Sequence, residues 1–257
     1  MDLGLNGKKA LVCAADTDLG LACAETLASE GAALTLTAAD ADAAARINAH
    51  FSDKHSVHCE HCDITSAAGR KHVLGACPAP DILVNHAPGP PAGDFRNWQS
   101  ADWHRALEAN MLAAIELITA TLDGMQARGF GRIINITSQS VRAPMKNLDL
   151  SNAARAGLTG FVAGVARQSR TADVTINNLL PGLFETKPLA DHIQKTAARD
   201  GVDAEVVRGQ LLGEHPLLRL GKPAEFGAIC AFLCSPHAAY VNAQNILVDG
   251  GQFPGAI

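Results

Sequence analysis

His58-Cys59-Glu60-His61-Cys62 places five metal-ligating side chains in a row. A tetrahedral zinc site needs four ligands with a second pair at a defined spacing, and Cys59-x-x-Cys62 supplies one pair only. The run coincides with a strand-like segment, where alternate side chains face opposite sides. These ligands do not all converge, and no metal is expected. Cys230 and Cys234 stand four apart on a helical segment, share one face, and read as core residues. The chain holds a single tyrosine, Tyr240, in Ala239-Tyr240-Val241-Asn242. Arg105, Glu108, Glu116 and Asp123 read as the solvated face of a long helix.

A chain of 257 residues is one large α/β domain or two small ones, with enough sequence for a sizeable core. Hydrophobic residues at 47% with 18% charged residues describe a globular protein and exclude a disordered one. Lys and Arg total 21 against 26 Asp and Glu, a formal charge of −5, which argues against a nucleic-acid surface. No apolar stretch reaches the roughly 20 residues that span a bilayer, and Glu116 interrupts the best one, Met111 to Leu122. Met1-Asp2-Leu3-Gly4 lacks the basic and apolar regions of a signal peptide. The seven cysteines are odd in number and form no regular framework. A reduced, cytoplasmic protein is expected, with neither nucleic acid nor membrane as partner.

The elements alternate. Ala10 to Ala14, Ala33 to Thr37, Ser56 to Cys62, Asp81 to Asn85, Arg132 to Thr137, Val174 to Leu179 and Asn245 to Val248 are short apolar runs that suit buried parallel strands. Between them lie helical segments: Leu19 to Ala28, Ala43 to His50 capped by Asp40 or Asp42, and one after Thr65 or Ser66. Further helices are read over Asp102 to Ala127, Asn152 to Arg170 and Glu225 to Cys234. Seven strands alternating with helices predict a single-domain Rossmann fold over 1–257, a doubly wound parallel sheet with helices on both faces. Residues 183–216 break the alternation. They read as a helical insertion over the carboxyl ends of the strands, where such sheets bind ligands, or as an ordinary pair of surface helices.

An ordered set of motifs now points to a family. Asn110 lies in the long helix, and Ser138 follows the strand Gly131 to Thr137. Next come the small-residue helix around Ala153-Ala154-Arg155-Ala156-Gly157, then Asn177-Asn178-Leu179-Leu180-Pro181-Gly182 with Thr186. Arg219-Leu220-Gly221-Lys222-Pro223 and Val248-Asp249-Gly250-Gly251 close the set. Together they resemble the short-chain dehydrogenase/reductase family, especially members similar to 3-oxoacyl-acyl-carrier-protein reductase. The resemblance spans nearly the whole chain. It implies a nicotinamide dinucleotide, NAD or NADP, hydride transfer to or from a small carbonyl or alcohol substrate, and a homo-oligomer, tetramer or dimer. It also implies four catalytic positions. An Asn anchors a water relay, a Ser orients the substrate oxygen, a Tyr exchanges its proton, and a Lys lowers the Tyr pKa and holds the ribose.

Asn110 and Ser138 match the first two positions. The Tyr position is Ser151 and the Lys position is Arg155. A serine hydroxyl is a far weaker acid than a phenol, which titrates near 10. Arginine keeps its proton but can still donate to a ribose or phosphate through its planar fork. Ser151 and Arg155 therefore form a polar surface without the usual acid–base step. His86, Asp149 and Lys146 are the conceivable replacement donors.

The cofactor loop is altered too. The family's T-G-x-x-x-G-x-G reads here Cys13-Ala14-Ala15-Asp16-Thr17-Asp18-Leu19-Gly20, so Ala14 and Asp18 replace glycines and Gly20 alone is kept. A carboxylate 5 Å from a phosphate is repelled by about 3 kcal/mol at an effective dielectric near 20. Asp18 is expected either to face the pyrophosphate or to cap the N–H groups of its own helix. The remaining cofactor contacts implied are Asp63 and Ile64 beside the adenine, Asn85 and Ala87 in an altered Asn-Asn-Ala-Gly, and Pro181, Gly182 and Thr186 beside the nicotinamide. Ala38 and Ala39, with Asp40 just beyond them, occupy the positions that select NAD or NADP, and leave the choice unread. The expected function is an NAD(P)-dependent oxidoreductase. The alternative is an inactive dinucleotide-binding or scaffold protein of the same fold, and a lyase or isomerase using His86 or Asp149 is a third possibility.

Overall fold

Strands buried on both faces need apolar residues at consecutive positions, and β1 (Lys9–Val12) shows how they are used. Ala10 and Val12 enter one core, while Leu11 between them enters the other. Ile82 and Val84 of β4 (Ile82–Asn85) face the first core and Leu83 the second, and in β5 (Gly131–Ile136) Ile134 and Ile133 divide the same way. The computed structural model describes residues 1–54, 56–168, 173–213 and 215–255.

In chain order the elements are β1, α1 (Asp18–Ser29), β2 (Ala33–Ala38), α2 (Ala41–His50), β3 (Val57–His61), α3 (Ala67–Ala76) and β4. Then follow α4 (Ser100–Leu107), a π turn (Glu108–Leu112), α5 (Ala113–Arg128), β5, α6 (Asp149–Gln168) and β6 (Val174–Pro181). The chain closes with α7 (Lys187–Asp200), α8 (Ala204–Leu212), α9 (Pro223–Cys234) and β7 (Asn245–Val248). The strands form one seven-stranded sheet in the order β3-β2-β1-β4-β5-β6-β7, every pair parallel. The chain winds outward from β1 to β3, then restarts at β4 on the other side. That reversal opens a crevice beyond the carboxyl ends of β1 and β4, where doubly wound sheets take their ligands.

Helices α1 and α9 cover one face through Cys23, Leu27, Phe226 and Cys230, while α5 and α6 cover the other through Leu117, Ile118, Leu158 and Val162. Cys230 and Cys234 share one face of α9 and are fully buried, together with Cys23. Asp40 caps α2 and Ser66 caps α3. No helix among the described residues is long and apolar enough to cross a membrane.

Two expectations change. The helix read as continuous from Asp102 to Ala127 is α4, the π turn and α5, and Gly129, at φ 70°, ends it. A single π turn offsets the apolar stripe by only one residue within an otherwise helical run, too small a break for periodicity to mark. Glu108 and Glu116 are more than a solvated face. They clamp the buried Arg70 of α3, at 3.2 Å to Nη1 and 2.6 Å to Nη2. Segment 183–216 contains α7 and α8, which pack a satellite core of Ile193, Ala197 and Val207. Arg170 and Glu214, read as ends of a helix and of this segment, lie outside the described residues.

Candidate active site

The site is assembled at the crevice by residues at the carboxyl ends of β1, β4, β5 and β6. Its floor is a chain of asparagines. Asn85 Nδ2 donates to Asn135 Oδ1 (2.9 Å), Asn135 Nδ2 to Asn178 Oδ1 (3.0 Å), and Asn178 Nδ2 to Asn245 Oδ1 (2.7 Å). The four are register partners on β4, β5, β6 and β7. Buried amides must find partners, and this ladder links them across four neighbouring strands. Asn85, expected at the cofactor, spends its amide N–H on the ladder, and its Oδ1 is left without a partner.

Arg155, one of the expected catalytic positions, bonds another, Ser151. Its Nε donates to Ser151 Oγ at 3.1 Å, and Nη1 donates to the carbonyls of Ile136 (3.0 Å) and Thr137 (2.9 Å). Nη2 reaches the Ala87 carbonyl at 3.4 Å. The guanidinium has no carboxylate partner among the described residues, and burial lowers its pKa to about 10, which leaves it charged at neutral pH. It lines a void of about 20 Å³ with Asn85, His86 and Asn110, room for one water. Asn110 sits in the π turn and is buried there. Its Nδ2 approaches the Pro88 carbonyl at 3.4 Å, and its Oδ1 is orphaned. Ser138 follows β5 in extended conformation and accepts from Ser140 N–H at 3.1 Å. Tyr240 is fully exposed, far from this cluster in sequence and on the surface.

Of the replacement donors, Lys146 is exposed and Asp149 opens α6. His86 is held neutral. Burial and the neighbouring Arg155 charge depress its pKa to about 3, against a hydrogen bond with the Ile136 backbone. A histidine that titrates so low cannot serve as a general acid at neutral pH. The shift also sets a stability window. Between pH 6.5 and 3 the unfolded chain binds the proton and the native state does not, so His86 makes stability fall as pH drops below about 6.5. At pH 5 the loss is about 2 kcal/mol. Urea denaturation at pH 7 and pH 5 checks it. His86→Asn is expected to lose about 2 kcal/mol less than the parent between the two values, and an equal loss in both proteins would refute the assignment.

The Cys13–Gly20 loop, expected at the cofactor, is held by hydrogen bonds around Ala14. Ala14 adopts φ 51°, a left-handed conformation that costs a residue with a Cβ about 1–2 kcal/mol. Two hydrogen bonds hold it there, from its N–H to Thr37 Oγ1 (2.9 Å) and from Thr17 Oγ1 to its carbonyl (2.7 Å). A Cβ at Gly20 would lie 2.1 Å from that carbonyl oxygen, which explains why this glycine is retained. Leu19 packs into the core. Thr17 caps α1 by accepting from Gly20 N–H at 3.1 Å, so Asp18 does not perform the capping expected of it. Asp18 Oδ2 instead accepts from Lys187 N–H, at the start of α7, at 2.9 Å.

Ala14, Asp16, Thr37 to Ala39, Asp63, Ile64 and Ala87 are among the residues around a cavity of about 270 Å³ on the β2 side of the crevice. Asp63 turns its own backbone, accepting from Thr65 N–H and Oγ1 at 2.9 and 2.7 Å. Across the crevice Gly182 lies against Asp249, where a Cβ would come within 2.6 Å. Thr186 precedes α7 without a side-chain cap. The His58–Cys62 run splits across β3. His58 and Glu60 pair at 3.0 Å, His72 takes the other oxygen of Glu60 at 3.0 Å, and Cys59 points into the core. Two features of the crevice went unread in the sequence, the ladder and the Asp16 carboxylate on Ala39 N–H at 3.1 Å. The asparagines are visible as residues, but their pairing needs the register.

A family profile described as Enoyl-(Acyl carrier protein) reductase matches residues 13–252. The 3-oxoacyl-[acyl-carrier-protein] reductase of Vibrio cholerae is 34% identical, the match covering 98% of this chain and 99% of that protein. The chain belongs to the short-chain dehydrogenase/reductase family. Among solved structures, L-sorbose reductase from Gluconobacter frateurii, complexed with NADPH and L-sorbose, superposes with a TM-score of 0.93 at 27% identity, covering 99% of this chain and all of that one. The actinorhodin polyketide ketoreductase with NADPH gives 0.89 at 26% identity over 97% of this chain and 98% of its own. Ser151, Arg155 and the Cys13–Gly20 loop lie within this short-chain dehydrogenase/reductase fold.

Proposed function

We propose that this chain is a nicotinamide-dependent oxidoreductase of small carbonyl or alcohol substrates in which a Ser–Arg pair works in place of a Tyr–Lys pair. The observation that carries the reading is the Arg155 Nε–H donated to Ser151 Oγ at 3.1 Å. That bond occupies a lone pair of the hydroxyl and leaves its own proton free for a substrate oxygen. Arg155 adds fixed positive charge beside the place where an alkoxide would develop, a stabilisation that low dielectric strengthens. Ser138, one residue beyond the Thr137 carbonyl that Arg155 holds, orients the same oxygen. The proton itself comes from water, and the void beside His86 and Asn110 has room for one.

The adenosine half of a dinucleotide suits the 270 Å³ cavity, whose walls are small or apolar at Ala14, Ala38, Ile64 and Ala87. Pro181, Gly182 and Thr186 are the residues for the nicotinamide end. Bound there, the dinucleotide supplies or accepts the hydride. Asp16 and Asp63 lie in the adenosine cavity, and no Lys or Arg is among the described residues lining it. Carboxylates accept from ribose hydroxyls and repel a 2′-phosphate, so the reading favours NAD over NADP. Calorimetric titration is expected to give a Kd for NADH below 1 mM and at least tenfold below that for NADPH. Tighter NADPH binding would overturn the preference. No heat with either nucleotide at 1 mM would overturn the reading. A rate screen over 3-oxoacyl thioesters, ketoses and ketosteroids then searches for substrate.

One observation favours the second reading, a non-catalytic protein of the same fold: the guanidinium of Arg155 is spent on the chain's own carbonyls and Ser151. A homo-oligomer is part of the proposal. Leu112 beside the α4–α5 junction is 37% exposed, and Gly160 and Gly164 of α6 face open space, which suits close packing of a second copy. Seven free cysteines suit the cytoplasm.

A further inference from the structure

Asp18 is the first residue of α1, yet its carboxylate serves a helix 169 positions away. Helix α1 does not depend on it, because Thr17 already caps the Gly20 N–H. Helix α7 does. Thr186 contributes no side-chain cap, and Pro188 in the first turn carries no N–H. Lys187 N–H is the first donor of α7, and Asp18 Oδ2 takes it at 2.9 Å. The Lys187 ammonium is turned away onto Asp191, at 2.8 and 3.0 Å, so the contact is between carboxylate and backbone. The charge therefore stands at the positive ends of two helices, α1 and α7.

The N-terminus of the first helix is where a doubly wound sheet seats a dinucleotide's pyrophosphate. We infer that Asp18 is a built-in latch: it fills the pyrophosphate position and fastens α7 to the nucleotide loop until a dinucleotide displaces it. This inference rests on the dinucleotide reading above. The carboxylate and the pyrophosphate compete for one anion site and repel each other, so the latch weakens dinucleotide binding. It also holds α7 and α8 over the crevice while the site is empty.

Two variants test it in the full-length protein. Asp18→Gly removes both charge and acceptor. Asp18→Asn keeps the acceptor and removes the charge, and melting curves establish that each is folded. Amide hydrogen exchange without nucleotide is expected to be at least tenfold faster at the start of α7 in Asp18→Gly than in the parent. Calorimetry with NADH is expected to give a Kd at least tenfold lower in Asp18→Gly, with Asp18→Asn between the two. Unchanged exchange at Lys187 in Asp18→Gly overturns the latch. NADH bound equally well by parent and variants also overturns it and leaves the oxidoreductase reading standing. Absence of NADH binding by parent and variants at 1 mM overturns both.

Discussion

Joint replacement of Ser151→Tyr and Arg155→Lys is expected to raise the rate of carbonyl reduction by NADH about 10²- to 10⁴-fold, the usual worth of a positioned general acid. Ser151 is 7% exposed and its hydroxyl is a poor proton source. A phenol, with a pKa near 10 that a neighbouring cation can lower, reaches several ångströms further and can both donate and recover a proton. The lysine change is needed as well. Arg155 is fixed by four acceptors, at Ser151, Ile136, Thr137 and Ala87, and cannot swing toward a phenol or a ribose. Lysine is a point charge on a flexible stem that can. Ser151→Tyr alone is therefore expected to gain less than tenfold and Arg155→Lys alone to gain nothing, a non-additivity natural for residues in contact. Initial rates of NADH oxidation, with Kd for NADH measured in parallel, check this. A folded double variant that binds NADH and shows no gain would mean that Ser151 does not face the reacting oxygen.

Asp173→Asn is expected to cost about 3 kcal/mol of stability, the low end for breaking a buried pair because Asp173 is 37% exposed. Arg132 is fully buried at the start of β5. It bonds the Asp173 side chain through Nη2 and its carbonyl through Nη1 (2.7 Å), reaches the Ser235 carbonyl through Nε (3.2 Å), and stacks on Phe130 at 4.5 Å. Asparagine removes the charge alone, and it tolerates the left-handed φ of 71° at this position. Melting is expected to fall by roughly 6–12 °C for a chain of this size. Adding Arg132→Met removes the stranded cation, and the double variant is expected to be no less stable than Asp173→Asn. A shift under 2 °C in Asp173→Asn would show that the carbonyls alone satisfy Arg132.

The strands were legible because both faces of a parallel sheet are buried, and runs such as Ile82-Leu83-Val84 admit no polar side. What escaped reading depends on residues meeting across the fold. The ladder from Asn85 to Asn245 exists only once four strands share a register. Asp18 was legible as an acid in the first turn of a helix, but its partner Lys187 lies five strands further along the chain. Arg132 was read only as the first residue of a strand, and its burial and its partner Asp173 appear only in the fold. Ser138, Ser151 and Arg155 were legible as positions. The direction of the guanidinium was not, because the carbonyls of Ile136 and Thr137 carry no mark in the sequence.

Hydride transfer is tested most directly with NADH deuterated at the transferring carbon, incubated with the wild-type protein and the carbonyl panel and read by mass spectrometry of the alcohols. The account predicts one deuterium on the carbinol carbon of at least one product, at a rate below that of the Ser151→Tyr, Arg155→Lys variant. Bound NADH with no label in any alcohol, in the parent and in the double variant alike, would contradict it.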